Sequence, residues 1–267
     1  MSRKPRASRL ELATAVGIPA GLGIVLAAQL LEGAPAGALW QPTAALVVFG
    51  GTLAAVLVSY PFALVRRAGA AVGQTFFVRF EEVDRILADI LNYSNIARRK
   101  GFIALESELD RVEDGFLRMA LALAVDGTPA KVTRQILEVE SDARREHEEA
   151  PAEVLETAAG YSPTLGILGA VLGLIHVMQS LNDPSRLGPG IAVAFVATVY
   201  GVAGANLLLL PLATRLRGDA RRAAITREIV IEGMVGVQEG LNPRVIEQKL
   251  RGFLLVARRD DPARRAA

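Results

Sequence analysis

Residues 159–213 hold two apolar stretches joined by a short polar turn, and neither stretch carries Asp, Glu, Lys or Arg. The first reads A-G-Y-S-P-T-L-G-I-L-G-A-V-L-G-L-I-H-V-M. The second reads G-I-A-V-A-F-V-A-T-V-Y-G-V-A-G-A-N-L-L-L-L-P-L-A. About 20 helical residues at ~1.5 Å rise cross the ~30 Å hydrocarbon core of a bilayer, so each is long enough to span one. Both are studded with Gly, Ala, Ser and Thr, which let neighbouring helices approach closely. Pro163 lies near the start of the first and Pro211 near the end of the second. In a helical hairpin the two prolines are expected at one membrane face.

Two further apolar blocks place spans at 12–31 and 42–62, beside 159–180 and 190–212. The expected fold class is therefore all-α: a polytopic membrane protein with four transmembrane helices and a helical cytoplasmic domain. The expected division is 1–11 cytoplasmic, 12–62 spans one and two, 63–158 cytoplasmic domain, 159–212 spans three and four, and 213–267 cytoplasmic helices and tail. The competing reading, a soluble helical protein, would have to bury four such stretches in one core. A signal peptide at the N-terminus is disfavoured. The apolar run from 12 to 31 exceeds an h-region of ~7–15 residues and lacks a clear small-x-small cleavage site.

The basic residues orient these spans. Of thirty Lys and Arg, four lie in the first nine residues, thirteen in 66–158 and twelve after 212, which leaves only Arg186. The positive-inside rule then puts both termini and the middle segment in the cytoplasm. The net charge of +2 gives no reason to expect nucleic acid, and the absence of Cys excludes disulfides and thiolate metal sites. The middle segment reads as helical. Val83, Ile86, Leu87, Ile90 and Leu91 recur at helix spacing within 79–91. Thr128-Pro129 signals a start for a helix running to R-R-E-H-E-E. Residues 220–240 and 243–257 form two more amphipathic candidates, the second opened by Asn242-Pro243. The last residues are expected to be disordered.

Enzyme signatures are absent: there is no P-loop, no G-x-S-x-G and no H-E-x-x-H, and no metal site or cofactor is expected. His147 in E-H-E-E reads as part of a solvated charged face. His176 could relay protons or simply make an interhelical hydrogen bond. Proton and ion paths usually place a carboxylate inside the membrane, and here Glu32 and Glu156 stand only at span ends. A chain built like a conduit without the acid implies a partner that supplies it. Thr198 and Tyr200 are the polar groups able to face that partner, although Thr198 could bond back to its own helix. The two prolines would form a flexible collar, or else merely begin and end their helices.

The hairpin segments, together with L-G-P-G-I-A-V-A-F-V-A-T-V-Y-G, A-N-L-L-L-L-P-L-A-T-R-L, F-G-G-T-L-A-A-V-L-V-S-Y-P and R-R-K-G-F-I-A-L-E-S, resemble the MotA/PomA family of flagellar stator subunits. The resemblance runs in order over nearly the whole chain. The related ExbB and TolQ proteins share the proline-bearing pair but have three spans. Four spans and R-R-K-G-F-I-A-L-E favour the stator over that proton-driven energiser of outer-membrane transport.

The resemblance implies a pentamer ring of this chain in the inner membrane around the single spans of a MotB-like dimer. An Asp of that partner carries the ion, and the ring turns a flagellar rotor protein of the C-ring. Pro163 and Pro211 match the functional prolines, and Thr198 the threonine facing the partner's acid. Arg98 and Glu106 match the charged pair that engages the rotor, with Arg99 and Lys100 beside them; the plain alternative is a solvated turn. Sodium-type members carry a hydroxyl seven residues after the first proline, where Ala170 stands here. A hard cation seeks oxygen ligands and alanine offers none, so the expected ion is H+. Membrane lipid completes the expected surroundings.

Overall fold

The computed structural model describes residues 9–10, 12–33, 35–78, 83–179 and 184–259. Helices dominate. In chain order they are α1 (Leu12–Leu31), α2 (Pro42–Ala45), α3 (Gly51–Ser59), α4 (Phe62–Gln74), α5 (Val83–Lys100), α6 (Glu106–Leu109), α7 (Gly115–Val125), α8 (Ala130–Gln179), α9 (Pro184–Ala203), α10 (Leu210–Gln238) and α11 (Pro243–Arg259). Two-residue strands pair antiparallel, Arg9 with Val78 and Leu10 with Phe77. The chain packs as two compact units, Met1–Arg79 with Glu149–Arg217, and Phe80–Glu148 with Gly218–Ala267. These units do not divide where the apolar spans end.

Among the described residues, four helical runs are long and apolar enough to cross a membrane, as the fold class requires. Their bounds correct the sequence expectations in three places. The second run, expected over 42–62, is Ala36–Ser59. Tyr60 is extended at φ −134° and ψ 148°, because Pro61 disfavours the helical region for the residue before it. The helix restarts at Phe62 as α4. The third run, expected to begin near 159, is the end of α8, which passes through Pro151 and Pro163 without a break. The expected helix ending at R-R-E-H-E-E has no stop signal there and simply continues. The fourth run and the separate candidate over 220–240 are likewise one helical path, α9 through α10. That path contains a π-helical turn at Gly204–Leu209, and the second run contains another at Leu46–Gly50.

Other signals act as read. The α8 helix starts one residue after Thr128-Pro129, with the Pro129 carbonyl accepting from Val132 and Thr133. The Asn242 side chain accepts from the Arg244 amide at 3.0 Å and opens α11. A start not read from the sequence is Asp114, which caps α7 through the Leu117 amide at 2.7 Å. The expected helix over 79–91 is α5; its residues 79–82, like the basic N-terminal residues 1–8 and the tail 260–267, lie outside the described residues.

The second unit has an aliphatic core. Ile90, Leu105, Leu117, Leu121, Leu137, Ile229, Met234, Ile246 and Leu250 are essentially fully buried. At ~25 cal/mol per Å² such side chains each contribute about 1.5–3 kcal/mol. The first unit is built differently, from three small clusters such as Ala44, Val48, Val196 and Ala197. Its large apolar residues, among them Ile24, Ile167, Leu172 and Phe195, are turned outward. That inversion suits a lipid exterior, where apolar side chains gain nothing by hiding.

Candidate functional site: a small-residue hairpin and an exposed charge pair

Glycine brings α8 and α9 together. A Cβ on Gly166 would stand 2.9 Å from the Ala197 carbonyl oxygen, and one on Gly201 would stand 2.7 Å from the Ser162 carbonyl oxygen. Gly173 packs on Ala194 in the same way. Ser162, fully buried, donates from its hydroxyl to the Gly201 carbonyl at 3.0 Å. The backbones therefore touch along the hairpin, held by close contact and the Ser162–Gly201 hydrogen bond rather than by interdigitated large side chains.

These contacts fix the register and correct the expected depth of the prolines. Pro163 lies against Gly201. Pro211 adjoins Leu212, which clusters with Leu155 and Ala213. Pro211 thus stands level with the 155 region of α8, about eight residues from Pro163, or ~12 Å along the axis at 1.5 Å per residue. Equal distance from the ends of apolar blocks did not mean equal depth, because α8 and α10 both continue past those blocks. Neither proline begins or ends a helical path. Each lacks the N–H that would bond four residues back, so each frees a carbonyl inside a continuous helix.

Thr198 is half-buried beside the Gly166 contact. Thr52 bonds back to the Val48 carbonyl at 2.6 Å and Thr164 to the Tyr161 carbonyl at 2.7 Å. Among the described residues the Thr198 hydroxyl has no such partner. Ala170, also half-buried, follows Gly166 by one helical turn. Tyr200 is engaged elsewhere. Its hydroxyl donates to the Leu39 carbonyl and accepts from the Gln41 amide at 3.2 Å, and its ring stacks on Phe49 with centroids 5.8 Å apart. Two residues turn a helix by ~200°, so Thr198 and Tyr200 occupy opposite faces. The sequence grouped them by polarity; the helix separates them.

At the other end of the pair, Glu156 is held by Arg217 at 2.8 Å. Tyr60 and Thr157 share a hydroxyl hydrogen bond at 2.8 Å, and Ser59 and Tyr161 another at 3.1 Å. These ties between α8 and the end of the second run had no sequence signal beyond hydroxyls near apolar ends.

In the second unit, Arg98 is exposed in the last turn of α5, which Gly101 terminates at φ +80°. Glu106, exposed, opens α6. Among the described residues neither makes an ion pair. Several other charges of this unit are paired. Glu232, mostly buried, pairs with Arg134 and Lys249. The Arg134 hydrogen bond, with Lys249, holds its carboxyl down at about 2 despite burial. Glu228 is pushed upward by burial and by the Glu232 carboxylate. Arg227 forms a two-pronged contact to Glu148, 2.9 Å on each arm. Arg98 and Glu106 thus stand exposed and, among the described residues, without an ion pair, as do Arg99, Lys100 and Asp110 on the same stretch, so this edge of the second unit offers several charges to something outside the chain.

Comparison with known proteins covers most of the chain. Residues 108–229 match the model of the MotA/TolQ/ExbB proton channel family. Motility protein A of Bacillus subtilis (strain 168) is 35% identical over 244 residues, 87% of this chain and 89% of that protein. Among solved structures, the C. jejuni MotAB structure superposes with a TM-score of 0.86 at 28% identity, over 91% of this chain and 96% of that one. The flagellar MotAB stator complex from Bacillus subtilis gives 0.82 at 33% identity, over 88% and 93%.

Proposed function

The chain belongs to the MotA/TolQ/ExbB proton channel family, on its motility protein A side, and from this premise we infer that it is the A-type stator subunit of a flagellar motor. With a MotB-like partner it forms an ion channel and converts ion flow into torque. The reading places it in the bacterial inner membrane with both termini cytoplasmic, which the distribution of Lys and Arg supports. The partner is a dimer of single-span chains, and five copies of this chain surround it.

The observation that carries this reading is the pairing of a missing acid with a waiting hydroxyl. No Asp or Glu lies in the four spans. Yet the Thr198 hydroxyl, in a carboxylate-free membrane segment, makes no bond among the described residues. A partner's Asp opposite Thr198 would supply the proton carrier and satisfy the hydroxyl. Pro163 and Pro211, at two levels, allow the hairpin to bend as that acid changes charge. Arg98 and Glu106 pass the motion to the rotor. Ala170 offers no ligand to sodium, which supports H+ as the ion.

The test is motility. Cells lacking their own stator should swim in sodium-free medium when given this chain with its B-type partner. Thr198→Ala or Pro163→Leu should stop them at normal membrane levels. Swimming that requires sodium would remove the proton assignment. Motility unaffected by both substitutions would support a scaffold without ion flux.

A further inference from the structure

The two π-helical turns meet. Leu46–Gly50 interrupts the second run and Gly204–Leu209 the fourth. Phe49, in the first π turn, stacks on Tyr200. A Cβ on Gly204, the first residue of the second π turn, would stand 3.1 Å from the edge of the Phe49 ring and 3.3 Å from the Ser162 hydroxyl. The ring therefore rests over a bare Cα, a shallow socket with Tyr200 along one side, while Phe49 as a whole stays 45% exposed. Tyr200 is itself tied to Leu39 and Gln41. Ser162, at the socket's other wall, is the residue that bonds Gly201 across the hairpin.

A π turn holds one more residue than an α turn, so a slip between the two re-phases everything beyond it by ~100°. The second π turn lies between Thr198 and Pro211. Whatever decides its form therefore sets how Thr198 faces relative to the proline-bearing end of α10. We propose that Phe49 is a positioning residue for the ion step, its ring in the Gly204 socket holding the π turn of the fourth run and thereby the facing of Thr198. The proposal rests on the stator reading and adds to it a control element in the second run, remote in sequence from both prolines and from Thr198.

The experiment uses the full chain co-expressed with its B-type partner in cells lacking their own stator. It reads membrane level, swimming and proton influx. Gly204→Ala fills the socket and should cut influx about tenfold at unchanged membrane level, an overpacking effect of ordinary size. Adding Phe49→Leu vacates the ring position and should restore influx to within about threefold of wild type. A merely structural clash elsewhere would not be relieved by that second change. Phe49→Ala adds no bulk and should by itself lower influx about fivefold; it decides the matter if Gly204→Ala fails to accumulate. Influx that is normal in Phe49→Ala, or unrescued in the double variant, overturns the proposal. Failure of the wild-type chain to support any motility would instead count against the stator reading.

Discussion

The two units bury surface by opposite rules. The second closes around leucine, isoleucine and methionine, with Leu117, Leu121 and Leu137 sealed from solvent. The first brings backbones into contact at Gly166, Gly173 and Gly201 and turns its leucines out. In water, apolar area removed from solvent is the driving force. In lipid that force is gone between helices, and close packing with internal hydrogen bonds replaces it. The two units should therefore be most sensitive to different substitutions: added methyls at the close contacts of the first, and deleted methylenes in the core of the second.

The largest expected effect is in the hairpin. Gly201→Ala puts a methyl 2.7 Å from a backbone oxygen that cannot swing away. It should abolish motility and reduce the assembled complex on native gels. An assembled, motile variant would mean that the α8–α9 contact is looser than described. Next is Leu121→Ala in the aliphatic core. It should destabilise the second unit by about 2–5 kcal/mol, read from denaturant melts in detergent. A cost below ~1 kcal/mol would break the contrast between the units.

The ion network of the second unit comes third. The Glu232 carboxyl is depressed from 4.5 to about 2. A depressed carboxyl contributes stability that is fully present above its unfolded value and lost as pH falls through the folded one. Stability of the second unit should therefore drop between about pH 4.5 and 2, by roughly 2–3 kcal/mol from this group. Glu232→Gln should flatten that part of the profile. The smallest structural effect is expected at Arg98. Arg98→Glu lies on an exposed turn and should change stability by no more than ~0.5 kcal/mol while stopping swimming. Partial recovery with Glu106→Lys would point to a shared external partner.

Much of this was legible in sequence for simple reasons. Charge-free length marks a span, and lysines and arginines mark its surroundings. Asn242-Pro243 starts a helix by local chemistry. What was hidden depends on continuity and on tertiary contact. Pro163 read as a hinge or as the start of its helix, and Pro151 gave no reading, yet α8 runs through both because neighbouring packing outweighs one missing hydrogen bond each. The 8-residue offset between the two prolines, ~12 Å along the axis, emerges only once Leu155 meets Leu212. The π turns carry no mark in composition. Tyr200 read as an ion-path residue because it is polar and membranous, but its hydroxyl belongs to Leu39 and Gln41.

Because the chain contains no cysteine, one cysteine placed at 198 is a unique reporter. The central claim is that Thr198 faces the acid of the partner's span. Thr198→Cys, oxidised in membranes against a single cysteine beside that acid in the partner, should give a strong A–B cross-link, with Tyr200→Cys giving little. Equal cross-linking from both positions, or none from 198 in an assembled complex, would contradict it.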